Sequence, residues 1–462
     1  MPVAFTVRNP KTTALRALNY SPASEAFRRK ASGSNCSRLG SLLANMGPAY
    51  GSVFTRLDCE RTYGVELLSQ GDMFSTEPQG RVIRRDSMPV PEDHRIKKWQ
   101  VLVAGAGTLG PTELFGRSIL ADGRLTDKYV GPHAMVLTFR EERSPLSLYC
   151  YAFLSTAAGI GCVRATSYGT KVLGLRSDLL SDLPIPLASE SVVEKIACLI
   201  AESVEYRESF AAEVSAAREP ILQIPEVKEA IGYCKERRRR CLVWHGDLPT
   251  ISAWNYASTG GALEYLQRKW SGRLSDIVRS EDMFYGPRFA RIPSVAPYGI
   301  DFESQRDVFL LRPILRRIVH PGCADRLLFV PDSALLVGGQ GQLEEGNLFG
   351  RVELAAFNSG RGAITEAIFR ILTPEKSSEL MFAYLSTELG LAFMRNAAVG
   401  TSVPKMNPAL LEQIPIPDTD SSTRAKIVAH VRSAIHAKEK ANAAESEAIR
   451  LVSQEIIPKW LN

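Results

Sequence analysis

The chain has 462 residues, 45% of them hydrophobic and 23% charged, which is typical of a globular protein with packed cores. Its formal net charge of +6 permits an acidic partner such as DNA without requiring one. No apolar run approaches the roughly 18–20 residues of a membrane span. The eight cysteines lack the spacing of a zinc site, so we expect reduced thiols, no metal, no cofactor and a cytoplasmic location.

The first half of the chain begins with a lead, residues 1–35, that contains Leu18-Asn19-Tyr20. A long stretch of short apolar runs bounded by turn residues follows, such as Val101-Leu102-Val103-Ala104, and predicts β-rich structure. Leu148 to Ala158 predicts a short buried helix. Pro184-Ile185-Pro186 then closes the module, because proline removes backbone donors. We therefore predict a first module over residues 1–188.

A long helix is predicted over residues 189–222, where one stripe of positions recurs alternately three and four residues apart. Ser189 or Glu190 can cap its beginning. The stripe is apolar at both ends and polar in the middle. Its positions are Val193, Ile196, Ile200, Ser203, Arg207, Phe210, Val214, Ala217 and Ile221.

The second half repeats the first, so the chain contains a duplicated domain. A linker and second lead occupy residues 223–270, a second module residues 271–418 and a second helix residues 419–462.

At one constant offset, Leu154-Ser155-Thr156 recurs as Leu385-Ser386-Thr387, Gly169-Thr170-Lys171-Val172 as Gly400-Thr401-Ser402-Val403 and Pro184-Ile185-Pro186 as Pro415-Ile416-Pro417. At a slightly longer offset, Gly105-Ala106-Gly107 recurs as Gly339-Gln340-Gly341 and Leu114-Phe115-Gly116-Arg117 as Leu348-Phe349-Gly350-Arg351. This period is far longer than the roughly 20–50 residues of a solenoid repeat. Two similar modules suit a ligand that is gripped in two places.

The helix of each half carries the same stripe in the same spacing, from Val193 to Ile221 and from Val428 to Ile456, and must bury it. The simplest partner is the other helix, in an antiparallel pair that would place Arg207 near Asn442 and Glu445. The alternative is that each helix packs on its own module. The fold class we predict is α+β, with two pseudo-repeated domains, each with a β-rich core, separated by a coiled coil of two long antiparallel helices. The predicted helix-pair interface comprises Val193, Ile196, Ile200, Arg207, Val214, Val428, Val431, Ile435, Asn442, Glu445, Ile449, Val452 and Ile456.

One motif suggests a nucleotide cofactor. Gly105 to Gly110 matches G-x-G-x-x-G after an apolar run, which is the pattern of dinucleotide binding. Pro111 follows at once, however, and the repeat carries Glu344 where the third glycine would be. A carboxylate there would repel a pyrophosphate. We favour a tight turn between strands and keep a nicotinamide-dependent oxidoreductase as an alternative.

Other catalytic signatures are missing from the sequence. It has no P-loop, and its six histidines show no paired-ligand spacing. A chain of this size without a catalytic set is expected to be a binding protein rather than an enzyme.

Basic residues cluster with aromatic residues and glycines, which suits phosphate and base-edge contacts in DNA. A solvated face is the alternative for each cluster. Arg164 and Arg395 stand in register in the two halves, and the run Arg237 to Arg240 between the modules suits either backbone phosphates or linker solubility. The predicted DNA-binding residues are Arg84, Arg85, Lys97, Lys98, Arg164, Tyr168, Gly169, Thr170, Lys171, Arg312, Arg316, Arg317, Arg395, Gly400, Thr401 and Lys405.

This order of parts resembles the specificity subunit of type I restriction–modification systems. The resemblance spans roughly residues 36–222 and 271–458, from the glycine turns through Leu179-Leu180 and Leu410-Leu411 to each Pro-Ile-Pro. It departs in the Pro-Ile-Pro-Leu and Pro-Ile-Pro-Asp endings and in the long leads. A related methylation-based phage-defence complex is therefore a second possible setting.

The resemblance implies two target-recognition domains that each read one half of a bipartite site in double-stranded DNA. It implies that the helix pair fixes the unread spacing and is the platform for two DNA methyltransferase subunits, which would perform the catalysis. A restriction or translocase subunit is a further candidate partner. The remaining alternative is a structural adaptor of a defence complex that does not read DNA.

Overall fold

A computed structural model describes residues 16–31, 35–48, 54–235, 250, 252–256, 258–343, 346–358 and 360–461. The chain divides into two units. The first unit comprises Met1–Glu208 and Lys440–Asn462, and the second comprises Ser209–Glu439. The arginine run at 237–240 and the Glu344 position lie outside the described residues.

The helices range from single turns to two long helices, α7 and α15. They are α1 Pro22–Ala31, α2 Leu39–Leu42, α3 Pro91–His94, α4 Pro145–Leu154, α5 Ala157–Arg164, α6 Ser177–Ser181, α7 Glu190–Leu222, α8 Pro225–Lys235, α9 Ser258–Lys269, α10 Gln305–Val308, α11 Asp325–Leu328, α12 Glu375–Leu385, α13 Glu388–Asn396, α14 Pro408–Leu411, α15 Ser421–Arg450 and α16 Ile457–Leu461. A π-helical stretch, Leu451–Ile456, connects the last two. Short 3-10 helices include Ala17–Tyr20 and Ala253–Tyr256.

The strands are short, as the turn-bounded apolar runs predict. They are β1 Cys36–Arg38, β2 Leu43–Gly47, β3 Gly64–Leu68, β4 Arg81–Arg84, β5 Val101–Ala104, β6 Ala106–Gly107, β7 Ser118–Leu120, β8 Tyr129–Val130, β9 Ala134–Phe139, β10 Ser167–Tyr168, β11 Leu173–Leu175, β12 Pro184–Pro186, β13 Met283–Tyr285, β14 Ile300–Glu303, β15 Arg316–Ile318, β16 Leu335–Gly338, β17 Val352–Leu354, β18 Ala363–Ile364, β19 Ile368–Ile371, β20 Ala398–Val399 and β21 Lys405–Met406.

The two units build corresponding sheets. The first contains a four-stranded sheet in the order β2-β9-β5-β7, and the second a four-stranded sheet in the order β13-β19-β16-β17. The registers correspond, since Val101 pairs with Leu137 and Leu335 pairs with Ile371. A smaller sheet, β4-β3-β8 or β15-β14-β18, contains one parallel pair in each unit. The chain is thus a mixed helix-and-sheet protein whose sequence repeat is also a structural repeat.

Each unit buries the helix that precedes its Leu-Ser-Thr motif. Tyr149 in α4 donates its hydroxyl to the carbonyl of Pro186 at 2.6 Å, and Tyr384 in α12 donates to the carbonyl of Pro415 at 2.8 Å. Within the described residues no single helix is long and apolar enough to cross a bilayer, although α4 and α5 pass that test by length and composition as a pair bent by 80°.

Each unit also contains segments of both long helices. In the first unit Lys440 lies 5.3 Å from the Tyr206 ring. The hydrogen bond from Arg450 and also the positive charge of Lys195 lower the pKa of Glu447. The later residue of α15 is therefore near the earlier residue of α7, and the two segments run antiparallel. In the second unit His430 Nδ1 lies 2.7 Å from Glu213 Oε2. The buried residues of α7 follow the predicted stripe from Ile196 to Ile221, and Val193 at its beginning is only half-buried.

On α15 the buried stripe differs from the predicted one. Among the predicted positions of α15 and of the π-helical stretch that follows it, Val431, Glu445, Val452 and Ile456 are buried, but Val428, Ile435, Asn442 and Ile449 are only half-buried. The buried positions lie one residue earlier, at Ile427, Ala434, Ala441 and Ala448. Three of these four are alanines, and a small side chain lets a neighbouring backbone approach closely. A larger residue beside each of them therefore does not mark the packed face.

Candidate nucleic-acid interface

In the first unit, the repeated motifs converge on one exposed turn, residues 168–172. Strand β11 pairs with β6 through Leu173 and Gly107, so this turn lies beside the glycine segment that begins at Gly105. Gly169 has φ +93°, a conformation that favours glycine. Tyr168 is 44% exposed and Val172 59% exposed. Thr170 and Lys171 are exposed between them.

The second unit presents the matching turn at residues 399–403. Strands β20 and β21 flank it, and Gln340 of the second glycine segment bridges to Lys405. Gly400 has φ +99°, and Val403 is 58% exposed. The two units therefore expose the same Gly-Thr turn with a nearby lysine.

A glutamine that sequence reasoning missed holds each glycine segment. Gln70 donates to the carbonyl of Ala106 at 2.5 Å and accepts from its amide at 3.2 Å. Gln305 does the same for Gln340, at 2.7 and 3.2 Å. The only sequence signal for this contact is the similar spacing of the two glutamines from their glycine segments.

Arg164 and Arg395 brace the second glycine turn of each unit. Arg164 donates Nε to the carbonyl of Phe115 and Nη2 to that of Glu113, both at 2.8 Å. Arg395 donates to Phe349 at 3.1 Å and Asn347 at 3.2 Å. Burial lowers the pKa of Arg164 from its ordinary value. These contacts use the guanidinium to hold backbone, and direct base contact by either arginine stays a prediction.

The predicted arginines near the small sheets lie on, or close in sequence to, the corresponding strands β4 and β15. Arg84 ends β4 and pairs with Asp86, which raises the pKa of Arg84, and Arg85 pairs with Glu92, both at 2.5 Å. Arg316 and Arg317 lie on β15, where Arg317 contacts Asp301 at 3.1 Å. Arg312 is half-buried in the loop before that strand.

The remaining predicted cluster surrounds Trp99. Lys97 is exposed, whereas Lys98 Nζ lies 2.7 Å from Glu208. Lys98 and Arg143 both lie over the Trp99 ring, at 5.1 and 5.0 Å from its centroid. Lys98 therefore contributes to packing within the first unit as well as to its positive charge.

The glycine segment does not have the geometry of a dinucleotide site. Such a site needs a helix that begins at the glycines and directs its amides at the pyrophosphate. Residues 108–117 contain turns and no helix, and the next helix begins at Pro145. The oxidoreductase alternative is not supported.

Comparisons with known proteins give matches among solved structures alone. No family model matches the chain, and no curated protein matches it. It is similar to the S subunit of a type I restriction–modification system from M. genitalium, at 14% identity and TM-score 0.29, over 92% of this chain and 94% of that one. It is also similar to the HsdS subunit from Thermoanaerobacter tengcongensis, at 15% identity and TM-score 0.27, over 92% and 96%. A structure of type I restriction–modification complex assembly matches at 13% identity and TM-score 0.27, over 93% and 97%.

Its structural neighbours are type I restriction–modification S subunits.

Proposed function

We propose that this protein is a non-catalytic DNA-recognition subunit that reads a bipartite target and directs two partner methyltransferase subunits to it in the cytoplasm. The observation that carries the proposal is the duplicated exposed turn. Residues 168–172 and 399–403 each contain a left-handed glycine followed by threonine, lie between two short antiparallel strands and have a lysine nearby. Two copies of one surface on one chain suit two half-sites of a duplex.

The chemistry of the turns fits DNA. Lys171 and Lys405 supply positive charge for phosphates, and Thr170 and Thr401 supply hydroxyls that can donate or accept at phosphates or base edges. The exposed Val172 and Val403 can make apolar contact with a thymine methyl group.

The long helices would set the distance between the two half-sites. In the first unit the buried pair Arg207–Glu445 joins α7 to α15, and in the second the buried pair Lys438–Glu353 joins α15 to β17. Each pair favours a single alignment of the two elements that it joins. One fixed alignment supports a fixed number of unread base pairs.

Methylome sequencing tests the proposal directly. Deleting the gene from its host should abolish methylation of one bipartite motif, and restoring it should restore that motif. Replacing residues 36–188 with the module of another specificity subunit should change one half of the motif and leave the other half unchanged. If no motif changes on deletion, the proposal is wrong. Nuclease footprinting of the purified complex separates a reader of DNA from an adaptor, because an adaptor gives no footprint.

A further inference from the structure

One buried asparagine in each lead segment donates hydrogen bonds to the backbone just before its unit's exposed turn, which we call the stem of the turn. Asn19, in the 3-10 helix Ala17–Tyr20, is 3% exposed. Its side-chain amide donates to the carbonyl of Ala165 at 2.6 Å and to that of Ser167 at 2.9 Å. Ala165 directly follows α5, and Ser167 begins β10, just before the turn at Gly169. The lead therefore holds the backbone immediately before the turn.

The second unit contains the same contact. Asn255, in the 3-10 helix Ala253–Tyr256, is 4% exposed. Its amide donates to the carbonyl of Asn396 and, at 2.9 Å, to that of Ala398. Trp254 adds a donor, with Nε1 at 3.1 Å from the carbonyl of Arg395.

The register of these residues shows that the two asparagines contact corresponding backbone in the two units. In the register that matches Pro184 with Pro415, the two carbonyls of the first unit correspond to the two of the second. Asn19 corresponds in that register to Thr250, and Asn255 lies further along the chain. The lead is thus offset in sequence from the module it contacts, yet its amide meets the corresponding two carbonyls in both units. An amide NH₂ offers two donors in one plane, which suits two neighbouring carbonyls.

In the first unit, the lead is itself anchored. Arg28 of α1 donates to the carbonyl of Asn19 at 2.6 Å and pairs with Glu25 at 2.8 Å. Phe27 is buried, and its ring centroid lies 5.8 Å from that of Phe153. The asparagine is therefore a rigid support, because its backbone is fixed to a helix that packs in the core.

We infer that Asn19 and Asn255 are positioning residues for DNA reading, and that each sets the geometry of its own unit's exposed turn. The inference rests on the proposed function. A turn held at its stem presents Tyr168 to Val172 in one conformation, and contacts that select a base need such a fixed position. Removing the amide leaves two buried carbonyls without this donor and loosens the stem.

The test measures half-site discrimination by the full chain in complex with its methyltransferase subunits. Methylation rates are compared on duplexes that carry the target motif or one changed base in either half. Asn19→Ala should lower discrimination about tenfold in one half only, and Asn255→Ala in the other half only. Trp254→Phe, which keeps an exposed ring but loses the donor, should reduce discrimination less and in the same half as Asn255→Ala.

Tyr149→Phe and Tyr384→Phe are the matched controls, because each removes one buried hydrogen bond to a backbone carbonyl away from the turn. They should leave discrimination unchanged. The inference is overturned if Asn19→Ala behaves like Tyr149→Phe, or if it affects both halves equally. If the unaltered complex shows no half-site discrimination, the proposed function fails instead. Hydrogen exchange at residues 168–172 then still decides the inference: it should accelerate in Asn19→Ala and not in Tyr149→Phe, and unchanged exchange overturns it.

Discussion

Arg207 and Glu445 form a fully buried ion pair between α7 and α15 within the first unit. Tyr151 of α4 donates its hydroxyl to the same carboxylate, so three elements meet at one acidic side chain. Burial opposes the charge on Arg207, but attraction by Glu445 outweighs it and holds the pKa of Arg207 above its ordinary value. The pair gives the polar middle of each helix a specific partner.

Breaking this pair should cost far more stability than replacing it. Arg207→Ala or Glu445→Ala leaves an uncompensated buried charge and should lower the free energy of unfolding by about 3–5 kcal/mol. The triple variant Arg207→Met, Glu445→Leu, Tyr151→Phe removes the polar groups of all three side chains and should recover most of that loss. Denaturant unfolding of the full chain measures both. Equal losses in the single and triple variants would contradict the account.

The alanine stripe of α15 makes two chemically identical substitutions unequal. Val431 is fully buried, whereas Val428, one turn earlier on the same helix, is half-buried. Val431→Ala should destabilise the protein by about 2 kcal/mol, and Val428→Ala by less than about half of that. Thermal unfolding measures the difference. Equal effects would contradict this account and indicate that the packed face of α15 is the stripe predicted from the sequence.

The glycines that Arg164 and Arg395 brace should not tolerate a side chain. Gly116 and Gly350 have φ +78° and +80°, and an added Cβ would lie 2.7 and 2.9 Å from the Cγ atoms of those arginines. Alanine at either position should cost about 1–3 kcal/mol in the free energy of unfolding.

Gly161 provides the control for this effect. It lies inside α5, and an added Cβ there would meet nothing within 4 Å. Gly161→Ala should stabilise the protein by about 0.4–1 kcal/mol, because alanine restricts the unfolded chain. Chemical denaturation of the three variants side by side measures the effects. A neutral Gly116→Ala would show that the turn does not need its observed conformation.

Lys171 and Lys405 should contribute to DNA affinity through phosphates. Alanine at either should reduce the salt dependence of binding, lowering the slope of log K against log salt by about 0.9, and the double variant should lower it about twice as much. Fluorescence anisotropy over a salt series measures the slope. Lys459→Ala, at an exposed site on α16, is the control and should leave it unchanged. If the slope is unchanged in the double variant, neither lysine contacts a phosphate.

Local pattern was enough for much of this molecule. The turn-bounded apolar runs predicted short strands within a mixed helix-and-sheet fold, and the three-four spacing on α7 marked its buried side from Ile196 to Ile221. The equivalent pattern on α15 misled at alternate positions of the stripe. Burial there depends on the space left by the neighbouring elements, and Ala434 or Ala441 fits that space better than a larger residue.

The candidate site shows the same division. The segments at Gly169 and Gly400 could be selected as candidate DNA-binding residues from the sequence, because they recur in the two halves beside basic residues. The structural roles of Arg164 and Arg395 could not be predicted from the sequence. A basic side chain next to a turn has the same sequence signature whether it faces a phosphate or a backbone carbonyl, and only the folded position of residues 113–116 distinguishes the two.

The amino-acid sequence alone determined that one order of motifs occurs twice, each time followed by a mixed stripe with three-four spacing, because repetition and periodicity are properties of the chain order. The tertiary structure decided which residues hold those modules in shape. The Asn19 amide donates to the carbonyl of Ala165, and the Gln70 amide donates to the carbonyl of Ala106, across long separations in sequence. Such partners are selected by hydrogen-bond geometry and burial, which exist only after the chain has folded.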